Sequence, residues 1–373
     1  MNTPQNDPFE KYYHESEPSK RERGYAWHTA VGLQAVDGIV PSDYLKETAQ
    51  KNIEGDISLD QAEELIESYY RSNPKKDVER TEEADLVSAR IAAILSEQAF
   101  IFSPGQYISI HRRLFQGIYS HAGKIRDYNI TKKEWVLDGD TVMYGGATEL
   151  RTTLEYDMEQ ERNFSYQGLT MLEVIHHLAM FVSRLWQIHI FGEGNTRTTA
   201  VFFIKYLRSL GFDVTNDTFA SNAWYFRNAM VRANYNNIQK GVHETTEYLE
   251  RFLRNLLLGE KNELHNREMH ISGTFRVTHK ENNPLNDPLN DPLNDPLNDL
   301  IKLTNREQNL LHSLHETPEM TRKQLAEKLN CSDSTVKREI KILSEKGIIS
   351  RIGSKKRGTW IIHTEILDGN TRR

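Results

Sequence analysis

Proline recurs at positions 284, 288, 292 and 296, inside an Asn-Asp-Pro-Leu array that runs from Asn282 to Leu300. No other feature limits the fold so strictly. Each proline lacks an N–H and pushes its predecessor out of the helical region, so the stretch can be neither an α-helix nor a central strand. The 373-residue chain is therefore read as one body before the array and another after it. Charge divides it at the same place. The whole chain has a formal net charge of −6, but residues 301–373 carry 15 Lys+Arg against 9 Asp+Glu, net +6, which leaves −12 for the first 300. An acidic body and a basic tail are expected to do different jobs.

Composition narrows the class further. The chain is 38% hydrophobic and 27% charged, as soluble proteins are. No apolar run approaches the roughly 20 residues that span a membrane. The polar first 23 residues read as a loose arm without a signal-peptide core, and a cytoplasmic location is expected. The single cysteine, Cys331, excludes an internal disulfide framework and a thiolate metal cluster.

The densest chemistry lies at His189-Ile190-Phe191-Gly192-Glu193-Gly194-Asn195-Thr196-Arg197, between helical patterns at 171–188 and 196–210. A loop that feeds a helix N-terminus presents unpaired N–H groups and the positive end of the dipole, which together hold anions such as phosphate. Gly192 and Gly194 let the backbone approach a ligand, Asn195 is an N-cap candidate, and Arg197 suits a bidentate grip on phosphate. Thr196 joins this nucleotide-binding set. Glu193 is the candidate Mg²⁺ ligand between loop and anion. His189 is the candidate general base. Each residue alone has an ordinary structural reading; the joint pattern, in a loop-to-helix setting, points to phosphate, metal and base together. Tyr225 to Asn237 mixes Tyr, Asn and Arg on one helix, and Tyr225 and Tyr235 are candidates for a purine pocket, with plain helix packing as the alternative.

At these residues the chain resembles the Fic family, whose signature is H-x-F-x-[D/E]-G-N-[G/K]-R with a second Arg three residues on. His189, Phe191, Glu193, Gly194, Asn195 and Arg197 match it, whereas Thr196 and Ala200 depart. The resemblance implies transfer of AMP from ATP, with Mg²⁺, onto a Ser, Thr or Tyr hydroxyl of a protein, and self-modification. It implies an all-helical core over 76–280 with one β-hairpin flap, in which Trp135, Val136, Leu137 and Val142 take the target as an added strand. It also implies that the helical segment 1–75 is inhibitory. There Gln50-Lys51-Asn52-Ile53-Glu54-Gly55 is the better match to the working [S/T]-x-x-x-E-[G/N] element, and Asp37-Gly38 the lesser one. Glu54 is thus the regulatory candidate. Ala200 removes its usual partner, so inhibition is expected to be leaky and to tighten in Ala200→Arg.

After the linker at 281–300, residues 301–373 show three helical patterns and a hairpin and resemble the winged helix-turn-helix of bacterial regulators. Thr335, Lys337, Arg338 and Lys341 on the second helix of the motif, with Lys355, Lys356 and Arg357 in the wing, are the DNA-binding candidates; a module that contacts only protein is the alternative. The expected protein is mainly α, an adenylyltransferase whose partners are ATP, a hydroxyl-bearing protein and DNA, with a homodimer left open. The competing reading is a DNA-binding regulator whose nucleotide site senses rather than catalyses.

Overall fold

The computed structural model describes residues 18–73, 80–214 and 217–272, and in the tail 310–311, 313–314, 317–329, 331–345, 349–352 and 359–362. The start of the N-terminal arm, the proline array and the wing residues Lys355, Lys356 and Arg357 lie outside the described residues. The chain divides into two units, Met1–Pro292 and Leu293–Arg373.

The first unit is helical. α1 (Pro18–Gly32) runs into a 3₁₀ turn, Leu33–Asp37, and is followed by α2 (Asp43–Glu54), α3 (Leu59–Ser72), α4 (Thr81–Ser96) and α5 (Pro104–Phe115). After a long irregular segment come α6 (Leu150–Arg162), α7 (Met171–Ile188), α8 (Asn195–Ser209), the short α9 (Thr218–Ser221), α10 (Ala223–Ala233) and α11 (Glu247–Leu258). Local chemistry sets the starts. Ser42 and Ser103 cap α2 and α5, and Ser58/Gln61 and Thr170/Glu173 form reciprocal capping boxes on α3 and α7. The expected N-terminal helices are present, yet they do not stand apart: Trp27, Leu45, Ile53 and Ile66 enter the same core as Ile91, Phe191 and Phe202. α8 is buried continuously from Asn195 to Leu207 and forms the centre of the packing.

The expected hairpin at 135–144 does not form. Trp135–Leu137 is a single 3₁₀ turn. The N–H groups of Leu137 and Gly139 both reach the Glu134 carbonyl, at 3.1 and 3.0 Å, and the Glu134 N–H reaches Asp140 O at 2.9 Å. These bonds close a tight loop where a hairpin would need a ladder. The alternating apolar residues that read as a strand are satisfied inward: Val136, Leu137 and Val142 are buried, and half-buried Trp135 packs edge-on to His270 at 5.1 Å. In this segment Met143 is the apolar residue left in solvent, at 85% exposure.

The second unit holds helical residues around Leu310–Leu314, then α12 (Arg322–Lys328) and α13 (Asp333–Glu345), and a two-stranded antiparallel sheet, β1 (Ile349–Ile352) and β2 (Thr359–Ile362). Ile349 pairs with Ile362 and Ile352 with Thr359. Leu310, Leu314, Leu325, Val336, Leu343, Ile349 and Trp360 make its core.

Candidate active site

α7 ends at His189, whose backbone is left-handed at φ 52°, ψ 55°. For a non-glycine residue this conformation costs about 1–2 kcal/mol and persists only when neighbours enforce it. Here the His189 N–H bonds Trp186 O at 3.1 Å and its carbonyl accepts from Arg126 Nε at 2.7 Å. The Arg126 guanidinium also binds the carbonyls of Tyr128, Gly145 and Ile188. One side chain thus gathers three segments of backbone beneath the motif.

The His189 imidazole is buried to 3% exposure, and neither ring nitrogen has a hydrogen-bond partner among the described residues. Burial, followed by the positive fields of Lys132 and Arg227, pushes it well below the ordinary histidine pKa, so the ring is neutral. The Tyr144 ring leans on it at 4.4 Å. Tyr144 Oη donates to Glu134 Oε1 at 2.9 Å, and buried Glu134 pairs with Arg227 at 2.7 Å.

Beyond His189 the loop is held on its inner side. Phe191 stacks on His111 at 3.6 Å, and His111 Nε2 bonds Glu193 O at 3.0 Å while its Nδ1 accepts the Gly123 N–H. Asn195 is not the N-cap. Gly194 holds that position at φ 74°, where a Cβ would strike the Phe115 ring, and the Asn195 amide clasps Phe191 instead, taking its N–H at 3.0 Å and giving to its carbonyl at 2.8 Å. Thr196 is buried and accepts from Trp186 Nε1 at 3.0 Å. Both side chains are committed to shaping the loop. Glu193 points outward, 55% exposed, with Lys132 3.7 Å away.

Arg197 lies where the sequence did not put it. Its side chain is fully buried, 2.8 Å from Asp37, 2.7 Å from Glu83 and 3.0 Å from Gln34 Oε1, with Tyr119 Oη at 3.3 Å and the Phe115 ring 4.8 Å beneath. Arg80 and Tyr119 also bind Glu83, and although burial opposes its charge, Arg197 draws that carboxyl below the usual range. Glu54 is not part of this cluster. It ends α2, 40% exposed and paired with Lys20 at 3.2 Å, and Gly55 after it is a left-handed helix C-cap. The carboxylate that meets the motif arginine from the N-terminal segment is Asp37, at the end of the 3₁₀ turn.

Ala200 is fully buried inside α8. Tyr225 is buried against Phe252 and donates to Tyr248 O at 3.2 Å; Tyr235 donates to Asp140 at 2.6 Å. The described contacts of Tyr225 are those of helix packing. Reading the sequence missed Arg126, Glu134, Tyr144, Arg227, His111 and Glu83. All are single polar residues inside ordinary helical or loop patterns, and only their convergence in space marks them.

In the tail, Thr321 and Gln324 form a capping box on α12, and Ser332 accepts from the Thr335 N–H at the start of α13. Lys337, Arg338 and Lys341 are exposed on α13.

Comparison with known proteins gives two family matches. Residues 101–207 match the Fic/DOC family and residues 306–358 match an HTH domain. A search of curated proteins gives no match. Among solved structures, the chain is similar to a Fic family protein from Desulfovibrio desulfuricans G20, at 12% identity and a TM-score of 0.39, covering 100% of both chains. The chain carries a Fic/DOC-family domain and a C-terminal helix-turn-helix domain. Among the described residues no helix is long and apolar enough to cross a membrane.

Proposed function

We propose that the chain is a nucleotidyltransferase that moves AMP from ATP onto the hydroxyl of a protein Ser, Thr or Tyr, itself included, and that its C-terminal domain binds DNA. The observation that carries this is the His189 imidazole, buried and neutral, with both nitrogens unpartnered. The unprotonated ring has a free nitrogen to take a proton, and the negative charge of a bound phosphate would offset the burial that disfavours the imidazolium. The target oxygen attacks the α-phosphorus as its proton passes to His189, and the bond to the bridging oxygen breaks to release pyrophosphate. The N–H groups at the start of α8 face the charge that builds on the phosphoryl oxygens. Among the described residues no group of three His, Cys, Asp or Glu could hold a metal alone. The lone outward carboxylate of Glu193 suits Mg²⁺ that takes its other ligands from phosphate and water, where the ion would neutralise phosphate charge. In the tail, Lys337, Arg338 and Lys341 would meet phosphates of the duplex.

Full-length protein incubated with α-labelled ATP and Mg²⁺ should label itself or an added protein, and His189→Ala should not. Absence of label in the wild type and in an Asp37→Ala/Glu83→Gln variant would sink the transfer reading. One observation favours the competing reading, a DNA-binding regulator with a sensing site: Arg197 is occupied by two carboxylates, and position 200 is Ala. Nucleotide-dependent DNA binding without label would support it.

A further inference from the structure

We propose that the bare face of Gly192, closed by the Tyr128 phenol, is an anion subsite built by His121 and Tyr128, which receives the outer phosphates of a nucleoside triphosphate in place of motif arginines. The proposal rests on the nucleotide reading of the site.

A polyphosphate brings several charges, and this chain has no free motif arginine to meet them: Arg197 is buried among Asp37, Glu83 and Gln34, and Ala200 carries no polar group. Other donors stand over the loop. A Cβ built on Gly192 would lie 2.6 Å from Tyr128 Oη and 3.4 Å from His121 Nε2. Both polar atoms therefore converge on the face of Gly192 that bears no side chain, with the phenol lying against it.

His121 Nε2 is buried and has no partner among the described residues. A buried polar atom left unmet is costly, and this one is free to meet a ligand. The ring is held in place by stacking on Tyr119, at 5.1 Å and 7°. With its proton on Nε2, it donates toward Gly192. The neighbouring His111 cannot serve, because both of its nitrogens are already bonded.

Tyr128 is 54% exposed, with its backbone carbonyl fixed by Arg126. Its phenol can move off Gly192 to admit a phosphate and then donate to it. Lys132 supplies a cation. It lies 3.7 Å from Glu193, so an incoming anion meets a carboxylate whose charge is already partly balanced. The loop N–H groups complete a donor set of imidazole, phenol, ammonium and backbone.

Calorimetry on the full-length chain tests this with ATP, AMP and inorganic pyrophosphate, the last separating a nucleotide's outer phosphates from a free anion. His121→Asn and Tyr128→Phe should each weaken ATP and pyrophosphate about tenfold or more and leave AMP unchanged. Tyr128→Phe removes only a hydroxyl, so it remains decisive if the His121 variant melts early. Wild-type affinity for ATP in both variants overturns the subsite and leaves the transfer reading standing. Equal loss of AMP overturns it too, since the loop itself would then have moved. Selective loss of ATP in a protein that never labels a target supports the subsite and sinks the transfer reading.

Discussion

Asp37 Oδ2 stands 2.8 Å from Arg197 Nε, and the guanidinium it meets is wholly buried. The N-terminal segment therefore reaches the motif through a short 3₁₀ turn, and it shares its quarry with Glu83 from α4.

That sharing decides what release requires. Removing one partner from a buried ion pair costs about 3–5 kcal/mol when nothing replaces it, and here Glu83 remains to offset part of the loss. Asp37→Ala should lower the melting temperature by several degrees and raise self-labelling only modestly. Asp37→Ala/Glu83→Gln should raise it well beyond either single change. Glu54→Gly should leave labelling unchanged, because Glu54 pairs with Lys20. Full release by Asp37→Ala alone would show that Glu83 does not restrain the arginine.

Ala200→Arg should damage the fold instead of tightening inhibition. Ala200 is fully buried in the middle of α8, and a guanidinium there would overpack the core and lose its hydration. A thermal melt close to that of the wild type would contradict this.

Stability should fall on acidification. Burial lowers His111 to about 3 and carries His189 well below its ordinary value, so both stay neutral in the folded chain while the unfolded chain takes up protons near 6.5. Their contribution is complete above that value and is lost as pH falls through it, by up to about 1.4 kcal/mol per pH unit for each ring. Melting temperatures measured from pH 7.5 to 5 should decline, and the decline should be shallower in His111→Gln. A wild-type curve that is flat over this range would count against it.

Lys337→Ala and Lys341→Ala in the full chain should each weaken duplex DNA binding without regard to sequence and reduce the salt slope by about 1. Unchanged slopes in both would move the tail to a protein-contact role.

Much of the fold was legible because it is local. Ser58 with Gln61 announces a helix start within four residues, and the prolines from 284 to 296 announce a boundary by their spacing alone. The loop from His189 to Arg197 was legible because few folding needs place so many functional groups together. What failed was pairing at a distance. Gln50 to Gly55 matches a pattern better than Asp37-Gly38 does, but only packing of α1 on α4 decides which carboxylate arrives at Arg197. The expected hairpin failed for a related reason. Val136 and Val142 alternate as strand residues do, yet the Glu134 carbonyl takes two N–H groups and coils the chain back on itself.

Arg126 and Arg197 are fasteners of opposite kinds. Arg126 grips neutral backbone carbonyls that are themselves fixed in the loop, and no second side chain is there to titrate. Arg197 grips carboxylates, for which a phosphate is a direct rival. The frame around His189 is therefore riveted, whereas the arm beside it is latched, and of these two fasteners the latch is the one whose partners share a polyanion's charge.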